Sequence, residues 1–340
     1  MNRRRMPAEW ESPKRVLLTF PNSDTDWDYM LPRIQDFYKS LIKTFNLVKI
    51  PVTVLCNGDE KLLTDLQEGR DTKLLQIISD VEFNDTWIRD YGPITVEEDK
   101  KILVDFGFNG WGLKFASDHD NLVNLHLTER DYLPVENYEN RRDFILEGGS
   151  IESDGKGTIL TTSRCLLSPN RNGGKDRKVI EKRLREALGA ERILWLDHGF
   201  LAGDDTDSHI DTLARMAPND TIVYVGCPDN RDDEHFDEFA RMERQLKQFK
   251  TESGKPYRLV RLPFPDAIHD DEGNRLPATY ANYLVMDRKL FMPIYNQQDK
   301  DKEAILRINE AFPGYEVFSL DCTPLLFQHG SLHCSTMQLY

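Results

Sequence analysis

No run of about 18 apolar residues occurs in the sequence, so no membrane-crossing helix is expected. Cysteine is scarce. The five residues, Cys56, Cys165, Cys227, Cys322 and Cys334, are odd in number and contain no Cys-x-x-Cys pair. That argues against a disulfide framework or structural zinc site and for a reducing, cytoplasmic setting. Positive charge is in deficit, with 44 Lys and Arg against 58 Asp and Glu, a formal charge of −14. A nucleic-acid binder needs a basic face to neutralise phosphates, so that partner class is set aside. Excess acid suits attraction of a small cation, and it is also ordinary solubilising surface. No Gly-x-Gly-x-x-Gly follows the first apolar run and no Gly-Lys-Ser/Thr is present, which disfavours a nucleotide-binding sheet. The opening Met-Asn-Arg-Arg-Arg-Met-Pro is basic but has no apolar core, unlike a secretory signal.

What is present is a chain of 340 residues, 39% hydrophobic and 10% aromatic, too rich in apolar side chains for disorder. A chain of that length buries about three quarters of its surface without covalent staples. Length alone suggests about two domains, but no Pro/Gly/Ser linker divides the sequence. Short apolar runs alternate with amphipathic stretches instead. Strands are expected at 15–20, 52–56, 74–81, 102–106, 157–162, 193–195 and 221–225, with the last at 317–319. Helical spacing appears at 30–45, 60–68, 176–188 and 232–251. This mixture defines an α/β class. No repeat is visible at the level of residue identity, and Gly155 and Gly157 read as turn glycines.

Four segments are unusually dense in reactive side chains. In Asn84–Pro93, Trp87 stands three residues before Asp90, and an indole face beside a carboxylate suits a planar cation. Asp85 there reads equally well as a turn residue. Glu147 is followed by Gly148 and Gly149, which let backbone approach a partner closely, although a solvated turn Glu is the simpler reading. Between Asp204 and Asp211 four carboxylates flank His209. If that stretch is extended, Asp207, His209 and Asp211 share one face by the period of two. The pattern admits a ligand set for paired hard metals or a general acid/base among cation-gripping acids. In Gln328–Thr336, Cys334 lies beside His333, and a neighbouring positive charge favours a nucleophilic thiolate. The other four cysteines lie in apolar contexts expected to be inert.

Taken together, these motifs closely resemble the agmatine deiminase family, part of a guanidine-modifying superfamily that includes peptidylarginine and arginine deiminases. The likeness runs from Met6–Glu11 through Asn84–Pro93, Asp105–Gly112, Glu147–Ser150, Leu166–Asn172 and Asp207–Asp211 to His333-Cys334. It implies Cys334 as nucleophile, His209 as general acid/base, and Asp90 and Asp211 as guanidinium-binding carboxylates. It places Trp87, Glu147 and Asp205 on the substrate pocket. It also implies one domain over residues 1–340, folded as a five-module pseudosymmetric α/β propeller, and a small cationic guanidine, agmatine, as substrate. Neither metal nor organic cofactor is implied. Relatives are often oligomeric, so a homo-oligomer is compatible with the likeness.

Two departures bear on substrate choice. Gln328-His329-Gly330-Ser331 replaces a Gly-rich segment, and Ser208 replaces a glycine before His209. The alternatives are a deiminase of free or peptidyl arginine and a metal-dependent ureohydrolase. The second needs another acidic ligand run, and none is evident in the sequence.

Overall fold

Val16, Leu17, Leu18 and Thr19 are all buried, as expected of a strand covered on both faces. They belong to β1 (Arg15–Thr19), which pairs in parallel with β2 (Val52–Leu55), itself parallel to β3 (Leu75–Ile78). The structure, a computed structural model, describes residues 3–133 and 137–340. Its remaining strands form the same unit repeatedly. In β4 (Ile94–Glu97), β5 (Lys101–Gly107) and β6 (Tyr138–Ile145), the first pair is antiparallel and the second parallel. The order recurs in β7 (Ile151–Ser153), β8 (Thr158–Thr162) and β9 (Arg192–Leu196). It recurs again in β10 (Ala214–Ala217), β11 (Thr221–Val225) and β12 (Arg258–Leu262). After a small antiparallel pair, β13 (Ile268–His269) and β14 (Arg275–Leu276), comes β15 (Leu284–Met286), β16 (Lys289–Ile294) and β17 (Glu316–Asp321). Finally β18 (Met337–Leu339) adds antiparallel to β1, supplying the first sheet with its missing antiparallel member. Five mixed sheets thus share one pairing rule.

Helices pack their apolar faces against these sheets. In the helix Leu31–Leu47, Ile34, Tyr38, Leu41, Ile42 and Phe45 are buried at helical spacing. The helix Arg177–Leu188 starts where Asp176 accepts a hydrogen bond from the Val179 amide and stops at Gly189, whose φ of 69° few other residues tolerate. The expected helix over 232–251 is shorter, Phe236–Leu246, because Asp233 ties His235 into a preceding turn. The expected last strand at 317–319 is β17, and β18 follows it. No helix among the described residues is long and apolar enough to cross a membrane.

The repeat positions the chemistry. Just ahead of the first strand of each sheet lies a short turn, and each turn carries one polar group or close-approach residue. These are Asp90 before β4, Gly149 before β7, Asp211 before β10, Asn282 before β15 and Cys334 before β18.

Candidate active site

Asp90 sits in the one-turn helix Ile88–Tyr91, almost wholly buried. Its carboxylate accepts from Trp111 Nε1 at 2.9 Å and from the Gly149 amide at 3.0 Å. His209 and Asp211 flank the start of the turn Ile210–Thr212 and are fully buried. His209 Nδ1 lies 3.5 Å from Asp90 Oδ1, and its Nε2 lies 3.7 Å from Glu147 Oε2. Cys334 Sγ lies 3.9 Å from Asp211 Oδ2. Asn282 holds the turn that carries Cys334 in place, since its side-chain oxygen accepts from the amides of His333 at 2.8 Å and Cys334 at 3.2 Å.

Gly149 explains how these groups come so close. A Cβ there would stand 2.7 Å from His209 Nδ1, 2.8 Å from Asp90 Oδ1 and 3.1 Å from Asp211 Oδ2. The glycine backbone therefore occupies the point where acid, base and second acid meet.

A cavity of about 120 Å³ runs from Cys334 and Asp90 past Trp87, Trp111 and Phe115 to an acidic outer part with Asp26, Asp85 and Asp205. Gly330 packs flat on Trp87, where an added Cβ would lie 2.4 Å from the indole. His329, in the left-handed region at φ 62°, donates from Nδ1 to Gly203 O over 2.7 Å and lies 3.8 Å from Asp205. A carbonyl only accepts, so the Nδ1 proton is on His329.

The electrostatics are unusual. Burial, then the charges of Asp211 and Asp90, push the Cys334 thiol well above the ordinary thiol range. Burial works against charge on His209, but Asp90, Cys165 and Glu147 outweigh it and hold the imidazole protonated well above its usual pKa. Asp90 is raised, chiefly by burial, with His209 opposing and Asp211 adding to the rise. Asp211 is also buried, yet its bond to His333 and the nearby positive charges bring it below the usual carboxylate range. Asp85 is pushed up to about 7, mainly by burial. Among the described residues, Asp211 Oδ1 and both ring nitrogens of His209 are buried without a hydrogen-bond partner. Each such atom costs about 1–3 kcal/mol unless a ligand meets it.

Cys334, His209, Asp90 and Asp211 are thus brought together, with Trp87 and Asp205 on the same cavity. Glu147 departs from the expectation that it lines the pocket. It is fully buried behind His209, with Arg171 Nε at 2.8 and 2.9 Å from its two oxygens. The extended reading of 207–211 is corrected too. Asp207 and Ser208 have φ of 61° and 66°, so the period of two fails. Asp207 turns away to Lys114 at 2.8 Å and Arg171 at 2.6 Å, which removes it from any ligand set with His209 and Asp211. Cys165 is not in a neutral apolar context; its Sγ lies 3.7 Å from Glu147 Oε2, beside His209.

Several functional partners carried no sequence signal of role. Arg171 and Glu9 sit inside the motifs of the likeness but show no pattern of their own. Trp111 follows a glycine like any loop aromatic, and Asn282 is isolated among Tyr280, Ala281 and Tyr283. Among the described residues, two groups bring potential metal-ligand atoms within 4.8 Å of one another, Glu147–Cys165–His209 and Glu9–Glu152–His333. An arginine already neutralises each: Arg171 on Glu147, and Arg215 on both Glu9 and Glu152. A divalent ion there would meet a guanidinium at contact distance, so the donor sets fit a metal poorly.

A thiol, an imidazole and two buried carboxylates are thus gathered on a repeated mixed α/β scaffold. The sequence profile of the Porphyromonas-type peptidyl-arginine deiminase family matches residues 5–339. The chain belongs to that family. It is 31% identical to the agmatine deiminase of Pseudomonas aeruginosa (strain LESB58) over 363 residues, covering 98% of this chain and 95% of that one. A crystal structure of a Porphyromonas gingivalis protein provisionally named an arginine deiminase superposes with a TM-score of 0.90 at 42% identity, covering 98% of both chains. A substrate-bound C. jejuni agmatine deiminase with a Cys-to-Ser substitution superposes with a TM-score of 0.90 at 34% identity, covering 99% and 96%.

Proposed function

We propose that the protein hydrolyses agmatine to N-carbamoylputrescine and ammonia through a covalent thiouronium on Cys334. The observation that carries this reading is Asp211, a buried carboxylate whose Oδ1 has no donor and whose Oδ2 meets Asp90 Oδ1 across Gly149. Two buried carboxylates beside an uncharged thiol call for a planar cation rich in N–H groups, and a guanidinium carries five or more. Once it binds, the negative field that raised the thiol is cancelled, so the Cys334 pKa falls in the complex.

The thiol then loses its proton to bulk water and the sulfur attacks the central guanidinium carbon. His209, already protonated, transfers a proton to the departing nitrogen, and ammonia leaves as the C–N bond breaks. Water adds to the thiouronium carbon as His209 takes its proton. The C–S bond breaks, and the ureido product leaves with the thiol restored. Glu147 steadies His209 from behind. Trp87 faces the cation, and Asp205 stands nearer the outer end, where a second positive charge on the substrate is favoured. The whole chain acts as one catalytic unit, its five sheets arranged as a pseudosymmetric propeller, and five free cysteines suit a reducing cytoplasm.

The deciding experiment compares kcat/KM for agmatine, free arginine and a peptidyl-arginine substrate. Agmatine is expected to lead; a lead for either of the others would transfer the reading to that substrate. Replacing His209 by alanine is expected to lower kcat by roughly 10²- to 10⁴-fold. An unchanged rate would take His209 out of the mechanism.

Alkylation tests the resting thiol. In the substrate-free protein, carboxymethylation of Cys334 is expected to be slow at neutral pH and to accelerate as pH climbs past the ordinary thiol value of about 8.5. Saturating agmatine should protect it. Rapid, pH-independent alkylation below pH 8 would show that the empty site already holds a thiolate.

A further inference from the structure

His333 precedes the nucleophile in sequence, yet its ring faces away from the cavity. Nδ1 lies 2.7 Å from Asp211 Oδ2, and Nε2 lies 2.7 Å from Glu9 Oε1. A carboxylate only accepts, so Nδ1 donates to Asp211, while Nε2 lies between Glu9 and the guanidinium of Arg215, whose Nη2 is 3.0 Å away. Glu9 comes from the motif Met6–Glu11 and is itself gripped by Arg215 Nη2 at 2.6 Å and Arg89 Nη1 at 3.3 Å. Arg215 also binds Glu152 and the carbonyls of Ala281 and Tyr283, which flank Asn282. Apart from Glu9, which is partly exposed, the members of this network are buried, and neither His333 nor Arg215 lines the cavity.

We infer that His333, anchored by Glu9, is a positioning residue that fixes Asp211 by one oxygen so that its other oxygen is held free and charged for the guanidinium. The inference rests on the proposed guanidine chemistry and adds residues that themselves touch no substrate. The geometry accounts for an otherwise costly arrangement. Asp211 is fully buried and has Asp90 nearby, which disfavours a second negative charge. His209 and Arg215 favour it at longer range, and His333 makes the short hydrogen bond to the carboxylate side chain, beside the longer thiol contact of Cys334 at 3.9 Å. His333 in turn is faced by Glu9, Glu152, Arg215 and Asp211.

The test separates ligand binding from turnover. In a Cys334→Ser background, agmatine affinity is measured by calorimetry from pH 5 to 9, alone and with His333→Leu or Glu9→Gln. Asp90 is already raised, so the affinity of the background protein should fall on the acid side with a slope of one proton. Without the His333 bond, burial and Asp90 push Asp211 upward as well. The slope should then steepen toward two protons. Affinity should drop about 10²-fold at pH 6 and recover largely by pH 8.5. Glu9→Gln should act in the same direction with a smaller amplitude, and it covers the case in which His333→Leu fails to fold.

A loss equal at every pH, or none, in a folded variant would overturn the positioning role. Absence of agmatine binding in the background protein itself would instead overturn the proposed function.

Discussion

Replacing Cys334 by serine is expected to abolish turnover, with kcat at least about 10⁴-fold lower, the scale on which loss of a central catalytic group is felt. The reasoning is electrostatic as well as chemical. Burial, Asp211 and Asp90 already hold the thiol neutral in the empty site, and only a bound cation relieves that. A hydroxyl starts from a far higher pKa, so the same relief leaves it protonated and weakly nucleophilic. Binding should survive, because Asp90 and Asp211 are untouched. Agmatine should therefore still bind tightly while single-turnover assays show no ammonia and no covalent adduct by intact mass. Ammonia release near the wild-type rate would mean that Cys334 is not the attacking group.

The second large effect comes from a residue with no reactive side chain. Gly149→Ala is expected to lower kcat/KM by about 10²-fold or more, since misplacing reacting groups by about 1 Å is enough to do so. The new methyl would press at once on His209, Asp90 and Asp211, and at 2.7–3.1 Å at least two of them must move. Gly149 does not require left-handed backbone, so the substitution tests spacing rather than strain. Gly173→Ala is the matching control. Its φ of 67° adds strain of about 1–2 kcal/mol, but nothing lies within 4 Å of the added methyl, and kcat/KM should be unaffected. Equal activity of Gly149→Ala and wild type would show that the three side chains have room the geometry denies them.

These two positions also show what could be read from the chain beforehand. Cys334, His209, Asp90 and Asp211 were visible because reactive residues with aromatic and glycine neighbours stand out locally, and their ordered motifs resembled a known family. The α/β class followed from alternating periodicity. The fivefold repeat was invisible, because the equivalent turns hold Asp90, Gly149, Asp211, Asn282 and Cys334, which share a place but, the two aspartates apart, no chemistry. β6 escaped notice for a different reason: Tyr-Glu-Asn-Arg-Arg-Asp-Phe-Ile is mostly polar, and its strand is set by pairing with β5. Glu147 and Asp207 were misread because a carboxylate's direction depends on where its arginine lies. Arg171 is 24 residues from one and 36 from the other.

The pairing of β18 with β1 carries a consequence for how the protein is made. His333 and Glu9 are 324 residues apart in sequence, and they meet only when that strand pair forms. A nascent chain that has emerged through β17 has its acids and His209 in place, but Glu9, Arg89 and Arg215 still lack His333, and there is no nucleophile. Closing so long a loop is entropically slow, so assembly of the first sheet is expected to come late, after the other four have formed locally. Catalytic competence and completion of the fold are then a single event on the ribosome's timescale, and a stalled or trimmed chain is silent rather than partly active.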